Sequence, residues 1–192
     1  MSGHGFHVHG PHDHELEHAA QHGGTDGFSG KIAVVTAILA TVGALFSYQG
    51  GATQANAGLY KNNAAIKKTE ASNQWNYYQA KSNKQNLAEL AMVLVAEDKR
   101  AAYKDEVDRY KREKAEIKAD AEKLEQQSKD WDRQSDEQLH QHHRWAQATT
   151  ALQVAIALAA IALLTRRRWL EISMYGVGGV GVVLGIAAAL HV

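Results

Sequence analysis

Three apolar stretches constrain this chain more than any other feature of its sequence. They lie at residues 32–48, 148–165 and 172–192, and none of them contains Asp, Glu, Lys or Arg. A helix needs about 17–25 apolar residues to cross a bilayer, so each stretch is long enough, or nearly so, to be a transmembrane helix. We therefore predict an all-α membrane protein with three transmembrane helices, the first beginning at residue 31.

A long, polar segment, residues 49–147, separates the first two predicted spans. Residues 59–147 lack both Gly and Pro and are rich in Ala, Lys, Glu and Gln, which favour helices. Because both ends must return to the same membrane, we predict an extramembrane helical hairpin, or coiled coil, between spans 1 and 2. Composition places its reversal at residues 82–86 and symmetry between the spans places it at 97–100; we favour a tip near residues 95–102.

A seven-residue repeat predicts the seam of this hairpin. Its apolar row is Tyr103, Tyr110, Ile117, Leu124 and Trp131, and its weaker intermediate row is Val107, Lys114, Ala121, Ser128 and Ser135. Rows of this kind pack against a second helix. The apolar run at residues 87–96 is either hairpin core or a surface where copies of the chain meet. We expect Met92 and Val95 to be left over from the seam and buried between copies.

Small residues recur every four positions in the spans. They are Ala33, Ala37 and Thr41 in the first span, Ala151, Ala155 and Ala159 in the second, and Gly181, Gly185 and Ala189 in the third. Such faces let transmembrane helices approach closely, so we predict a tightly packed bundle. If copies surrounded a pore, Thr36, Thr41 and Gln153 would be its candidate polar lining.

The N-terminal tail, residues 1–30, is rich in histidine and is the constellation that most suggests chemistry. Neutral imidazole is a common ligand for zinc, nickel and copper. The candidate metal ligands are His4, His7, His9, His12, His14, His18 and His22. Metal binding, proton sensing and a solvated tail without a specific role all fit this pattern. His140 and His143 share a helical face before the second span and form a second candidate pair, with interfacial polar residues as the alternative interpretation.

Composition argues against several other functions. The chain has no cysteine, which excludes disulfides, thiolate catalysis and cysteine-based zinc sites. Its net charge is zero, and the aromatic stretch at residues 75–78 lacks the interleaved basic residues that base stacking in a groove requires, so we predict no nucleic-acid binding. Packing of Trp75 against the helix of Trp131, or against another copy, is the expected role. No nucleophile, carboxylate pair or phosphate loop suggests an enzyme or a cofactor.

Residues 70–81, with the sequence EASNQWNYYQAK, resemble the signature of an uncharacterised family of small bacterial membrane proteins that carries a domain-of-unknown-function label. The order of segments is similar too: a tail with histidines, one span, a charged helical block, and two spans joined by a short basic loop, here LTRRRWL at residues 164–170. The resemblance covers nearly the whole chain from about residue 30. It implies a bacterial cytoplasmic-membrane protein and no particular activity.

The basic loop, residues 166–171, predicts the orientation. It contains Arg166, Arg167 and Arg168, and short loops rich in Lys and Arg remain in the cytoplasm. We therefore expect a multi-pass protein of the bacterial inner membrane with a cytoplasmic N-terminus and a periplasmic hairpin, or stalk.

Two functions fit these features. The first is a homo-oligomeric membrane scaffold that contacts lipids, further copies of itself or an unknown envelope protein, and carries a candidate metal-binding tail. The alternative is an oligomeric channel or metal-handling pore with the histidine tails as a collar. A proton-coupled carrier is disfavoured, because the cores of the spans lack ionisable side chains.

Overall fold

The computed structural model describes residues 27–191, and in that range it contains three helices and no strand. The helices are α1 (Gly27–Leu94), α2 (Glu97–Thr165) and α3 (Arg168–Ala189). Each of the three is long and apolar enough to cross a membrane. The predicted all-helical chain with three candidate spans is thus confirmed. Contacts divide the chain into an apolar unit, residues 27–48 and 144–191 in its described part, and a hairpin unit, residues 49–143.

The chain reverses between α1 and α2 at Val95 and Ala96, at the start of the predicted interval. The amide of Val95 donates to the carbonyl of Ala91 at 3.0 Å, which closes the last turn of α1. Glu97 and Asp98 occupy the first turn of α2, where acidic side chains complement the helix dipole. The alternative reversal at residues 82–86 is wrong, because those residues lie inside α1.

The connection between α2 and α3 is shorter than the predicted basic loop. Only Arg166 and Arg167 lie between the two helices. Arg166 has a φ of 51°, in the left-handed region, and its amide donates to the carbonyl of Ala162 at 2.8 Å. Trp169 and Leu170, which we expected in the loop, belong to α3, and Leu170 is buried in the core of the apolar unit.

Small residues on α2 and α3 form much of the core of the apolar unit. The fully buried positions include Ala155, Ala159 and Leu152 on α2 and Met174 on α3. Leu152 packs directly on α3: a Cβ added at Gly181 would lie 2.8 Å from Leu152 Cδ2 and 3.1 Å from its backbone nitrogen. The predicted close approach of the second and third spans is therefore present at these glycine and alanine positions.

The first span packs through a different face from the predicted one. Ala37 and Thr41 are exposed, whereas Ile32 and Leu39 are buried and Gly43 contacts Leu152. Phe46 completes this face: its ring occupies the space that a side chain at position 185 would need, and it packs against Trp145 with ring centroids 5.3 Å apart. Large side chains of α1 therefore fill the space that glycines leave on α3. Spacing of small residues alone pointed to the wrong side of α1.

The outer surface of the apolar unit is itself apolar. Its exposed side chains include Val34, Ile38, Leu45, Val154, Ile161, Val180, Val183 and Ile186. Hydroxyl groups in the spans donate to their own helix: Thr36 Oγ1 to the carbonyl of Ile32 at 2.8 Å, and Thr41 Oγ1 to that of Ala37 at 2.9 Å. A surface of this kind suits hydrocarbon, where each unsatisfied polar group costs several kcal/mol.

In the hairpin unit, small residues of α1 face the weaker of the two predicted rows of α2. Ser128 Oγ donates to the carbonyl of Ala64, and Ser135 Oγ donates to that of Ala57, both at 2.8 Å. His142 Nδ1 lies 2.8 Å from the carbonyl oxygen of Gly50. Because a carbonyl only accepts, this nitrogen carries the proton. From one contact to the next, the residue number rises by seven on α1 and falls by seven on α2. The three contacts therefore form a heptad ladder between antiparallel helices.

The ladder continues away from its hydrogen-bonded part. The same spacing places Ala71 opposite Ala121, and both are buried. Ala and Ser side chains allow the two backbones to approach closely enough for a side chain to reach a carbonyl that already belongs to a helix. The row that the sequence marks as mediocre is therefore the centre of the seam, and Val107 and Ile117 are also buried.

The apolar run at residues 87–96 divides between seam and surface. Ala88 is buried, and Met92 and Val95 are half-buried. The exposed members are Leu87, Leu90, Val93 and Leu94, which expose 65%, 57%, 71% and 75% of their surface. The expectation that Met92 and Val95 form the leftover surface is wrong. The helical periodicity of 3.6 residues places Leu87, Leu90 and Leu94 on one face and Met92 and Val95 on another. The sequence does not say which of these two faces meets α2.

Candidate functional site

The predicted metal ligands fall into two groups. His4, His7, His9, His12, His14, His18 and His22 lie outside the described residues, so the tail site stays a prediction. His140 and His143 are exposed on α2, whereas His142 between them contacts the Gly50 carbonyl. Across residues 27–191, no three His, Cys, Asp or Glu side chains are grouped to hold a metal ion. A metal on His140 and His143 would therefore need a ligand from elsewhere.

A groove of about 800 Å³ runs along one side of the hairpin between α1 and α2. Its lining includes Ala64 and Ala71, both of which are buried. Trp75 lies in its wall, and its Nε1 donates to Glu125 Oε1 at 2.9 Å. Lys61 pairs with Asp132 across the groove at 2.5 Å. Trp75 thus packs against α2 of its own chain, where its partner is Glu125. Trp131 packs instead on Tyr60, with the two ring centroids 5.4 Å apart.

A cluster of cations and aromatic rings links α1 and α2 in the half of the hairpin that is nearer its tip. Lys81 Nζ lies 2.5 Å from Glu113 Oε2, 5.1 Å from the centroid of the Tyr77 ring and 5.6 Å from that of Tyr110. Arg109 approaches the same carboxylate at 3.7 Å and stacks over Tyr110 at 5.0 Å. Cations over tyrosine faces are attracted by the ring quadrupole, so the cluster links the two helices through charge and aromatic contact together.

The contribution of this cluster to the stability of the hairpin depends on pH. The carboxylate of Glu113, followed by Tyr77, raises the pKa of Lys81, and the ammonium group of Lys81 lowers the pKa of Glu113. Because the pKa of Glu113 is lower in the folded hairpin than in the unfolded chain, its contribution to stability is lost as the pH falls from the unfolded pKa through the folded one. Because the pKa of Lys81 is higher in the folded hairpin, its contribution is lost as the pH rises from the unfolded pKa through the folded one. The pair therefore stabilises the hairpin between about pH 4.3 and 10.4, the ordinary values for Glu and Lys.

The described contacts lock the two helices in one register. The ladder at Gly50, Ala57 and Ala64 and the cluster at Lys81 follow the same antiparallel pairing. Lys114 Nζ extends it, 4.9 Å from the Tyr78 ring centroid and 3.2 Å from Gln85 Oε1. Such contacts fix the register of α1 against α2.

Sequence analysis missed the ladder, although a signal was present. Gly50, Ala57, Ala64 and Ala71 recur at seven-residue intervals on α1. Their low hydrophobicity hid them, because the search for a seam followed large apolar side chains. The Lys81–Glu113 pair had no comparable signal, because many Lys and Glu residues of the hairpin would serve equally well until the register is known.

Comparison with known proteins yields a family and no closer relative. A family model described as a domain of unknown function (DUF4337) matches residues 28–191. The chain belongs to this family, in agreement with the resemblance seen at residues 70–81. No curated protein and no solved structure matches the chain.

Proposed function

We propose that this member of the DUF4337 family is a homo-oligomeric scaffold of the bacterial inner membrane, anchored by three helices and carrying a helical stalk. One observation carries the proposal. The hairpin fills its own seam with small residues, yet Leu87, Leu90, Val93 and Leu94 remain exposed on it. Fully burying one such side chain is worth about 1.5–3 kcal/mol, so contact between copies would stabilise an assembly. A patch of this kind on a protein surface commonly marks an interaction site.

The packing of the apolar unit favours a scaffold over a channel. Ile32, Leu152 and Met174 are fully buried, so side chains fill the centre of the unit within one chain. A pore would have to form between copies. Two of its three candidate lining residues are weak candidates, because the hydroxyl protons of Thr36 and Thr41 are already used on their own helix, whereas Gln153 is exposed on α2. An oligomeric channel or metal-handling pore remains the alternative, and ion or metal flux through liposomes containing the purified protein would establish it.

The orientation of the scaffold follows from the short connection between α2 and α3. Arg166 and Arg167 form the connection and Arg168 begins α3, which supports a cytoplasmic location for this end of the spans. The N-terminus is then cytoplasmic and the hairpin periplasmic. A reporter that is active only in the periplasm is expected to work when fused near residue 98 and to fail at residue 168. The reverse pattern would place the hairpin in the cytoplasm.

The histidine-rich tail adds a metal-responsive element on the cytoplasmic side. Seven histidines lie within 22 residues, so the untagged protein is expected to bind a nickel or zinc resin. Deletion of residues 1–22 should abolish retention while the helix content measured by circular dichroism is preserved. Equal retention of the deletion variant would contradict a tail site and point to His140 and His143.

The oligomeric state tests the scaffold itself. Native mass spectrometry of the detergent-solubilised protein is expected to show an oligomer at micromolar concentration. The double substitution Leu87→Glu and Leu90→Glu should shift it towards monomer, because each places a charge where we expect burial between copies. Leu139→Glu is the control for a charge placed on an exposed leucine of the hairpin, since Leu139 lies on α2, away from the patch.

Helix content is expected to be unchanged in both variants, because the substituted side chains lie on the surface of the hairpin. A wild-type protein that is monomeric at micromolar concentration would overturn the scaffold. An effect of equal size in the control would mean that the four exposed residues at 87–94 are not the interface.

A further inference from the structure

The exposed leucines belong to a longer stripe on α1. A second heptad row begins at Leu59 and advances by three and four residues in turn to Leu94. Every one of its eleven positions is exposed. Its large apolar members are Leu59, Ile66, Leu87, Leu90 and Leu94, and the row contains no charged side chain. We call this row the outer face of α1.

The outer face lies opposite the seam that holds the hairpin together. At 100° per residue, its centre is about 170° around α1 from the row of Ala57, Ala64 and Ala71, which packs on α2. Large apolar residues occupy both ends of this a/d row, at Leu59 and Ile66 and again at Leu87, Leu90 and Leu94, and apolar residues at such positions pack against another helix. In the described structure α2 occupies the inner side of α1, and no described helix covers the outer face.

Charge separates this face from the rest of the hairpin. Residues 49–94 contain seven charged side chains, whereas residues 97–143 of α2 contain twenty-five. The seven are Lys61, Lys67, Lys68, Glu70, Lys81, Lys84 and Glu89, and none of them is in the outer row. A solvated helix normally carries charges on the side that faces water. The depletion therefore argues that the outer face of α1 is covered in the assembled protein.

We propose that the outer face of α1 binds the same face of α1 in a second copy, as a parallel, in-register coiled coil. The proposal rests on the homo-oligomer proposed above and identifies its surface and register. Copies that enter the same membrane in the same orientation run their α1 helices in the same direction. Their first spans lie at the same depth, which brings equal residue numbers side by side.

Asparagine positions give the second argument for a copy as the occupant. The outer face contains Asn62, Asn73, Asn76 and Asn83. Each carboxamide both donates and accepts, so it can pair with the same group of a second chain. In register, all four meet their own counterparts. A shift of one heptad would keep only the pairing of Asn76 with Asn83 and would place Asn83 against Leu90, so the pattern specifies the register, as single buried asparagines do in coiled coils.

The flanking positions and the available area also fit a copy. The residues that would border this interface on one side are Gly58, Ala65, Ser72, Gln79, Asn86 and Val93, all uncharged. Like charges therefore do not face each other across a parallel pair.

The row spans 36 residues, which is about 54 Å along the helix. A strip of that length and one helix wide, about 10 Å, covers roughly 540 Å² of projected surface. That is of the order of the ~800 Å² that each partner buries in a standard interface.

Cysteine cross-linking of the full-length protein tests the face and the register together. The chain has no cysteine, so each introduced residue is the only thiol. Asn73→Cys and Asn83→Cys lie on the outer face, and Lys68→Cys is the matched control, exposed on α1 but off that face. Under mild oxidation in membranes, most of the N73C and N83C protein is expected to run as a disulfide-linked dimer on a non-reducing gel. K68C should stay largely monomeric, because a disulfide needs Cβ atoms about 3.5–4.5 Å apart.

Each outcome has one meaning when combined with native mass spectrometry. Cross-linking of both outer-face variants but not of K68C supports the parallel, in-register pair. An oligomeric wild type whose N73C and N83C variants do not cross-link overturns this interface while leaving the scaffold in place. Equal cross-linking at all three positions reports random collision and also overturns the interface. A monomeric wild type overturns both proposals.

Discussion

Gly181→Ala is expected to destabilise the apolar unit strongly, although it adds only one methyl group. The new Cβ would lie 2.8 Å from Leu152 Cδ2, 3.0 Å from Leu152 Cγ and 3.1 Å from the Leu152 backbone nitrogen. The side chain of Leu152 is fully buried and the backbone nitrogen belongs to α2, so neither can yield without moving the helix. Overpacking of this kind costs about 1–3 kcal/mol.

Gly179→Ala is the matched control on the same helix. A Cβ at Gly179 meets nothing within 4 Å, so this variant gains only the better helix propensity of alanine, up to about 1 kcal/mol. The difference between the two variants therefore isolates the contact between α2 and α3. Unfolding in mixed micelles with increasing dodecyl sulfate, followed by circular dichroism, measures it. Equal unfolding midpoints would contradict the close approach at Gly181.

The gross architecture of the chain could be predicted because membranes impose strong rules on sequence. Charge-free stretches of sufficient length marked all three candidate spans, and the lack of Gly and Pro between residues 59 and 147 marked the long helices. The reversal at Val95 and Ala96 was harder to locate, because it carries no turn residue. Two residues suffice for this turn, because a hydrogen bond closes the last turn of α1 and acidic residues stabilise the first turn of α2. Gly and Pro commonly mark helix ends in other proteins.

Helix faces were less predictable than helices. Periodicity separates residues into faces but does not say which face meets which neighbour, and this is why Met92 and Val95 were misassigned in the hairpin and Ala37 and Thr41 in the first span. Close helix contacts select small residues where the partner supplies the bulk, as Leu152 does at Gly181 and Phe46 does at Gly185. Which residue packs against a small side chain depends on the tertiary structure, so the spacing of residues in one helix does not predict that partner.

The heptad ladder of the hairpin makes Ala64→Leu the second substitution with a large expected effect. Ala64 is 5% exposed, and its carbonyl accepts the hydrogen bond from Ser128 at 2.8 Å. A leucine at this position would push α2 away from α1, breaking that bond and straining the neighbouring contact between Ser135 and Ala57. Overpacking contributes about 1–3 kcal/mol and the lost hydrogen bond about 0.5–1.5 kcal/mol to the destabilisation.

Ala65→Leu supplies the control, because Ala65 is the next residue along α1 and is exposed. The two variants have the same composition and nearly the same helix propensity, so a difference in stability compares a buried position of the seam with an exposed position of α1. Thermal unfolding of the full-length protein in detergent, followed by circular dichroism, is expected to show a lower Tm for A64L than for A65L. Equal values of Tm would mean that the helices of the hairpin do not approach through alanine and serine.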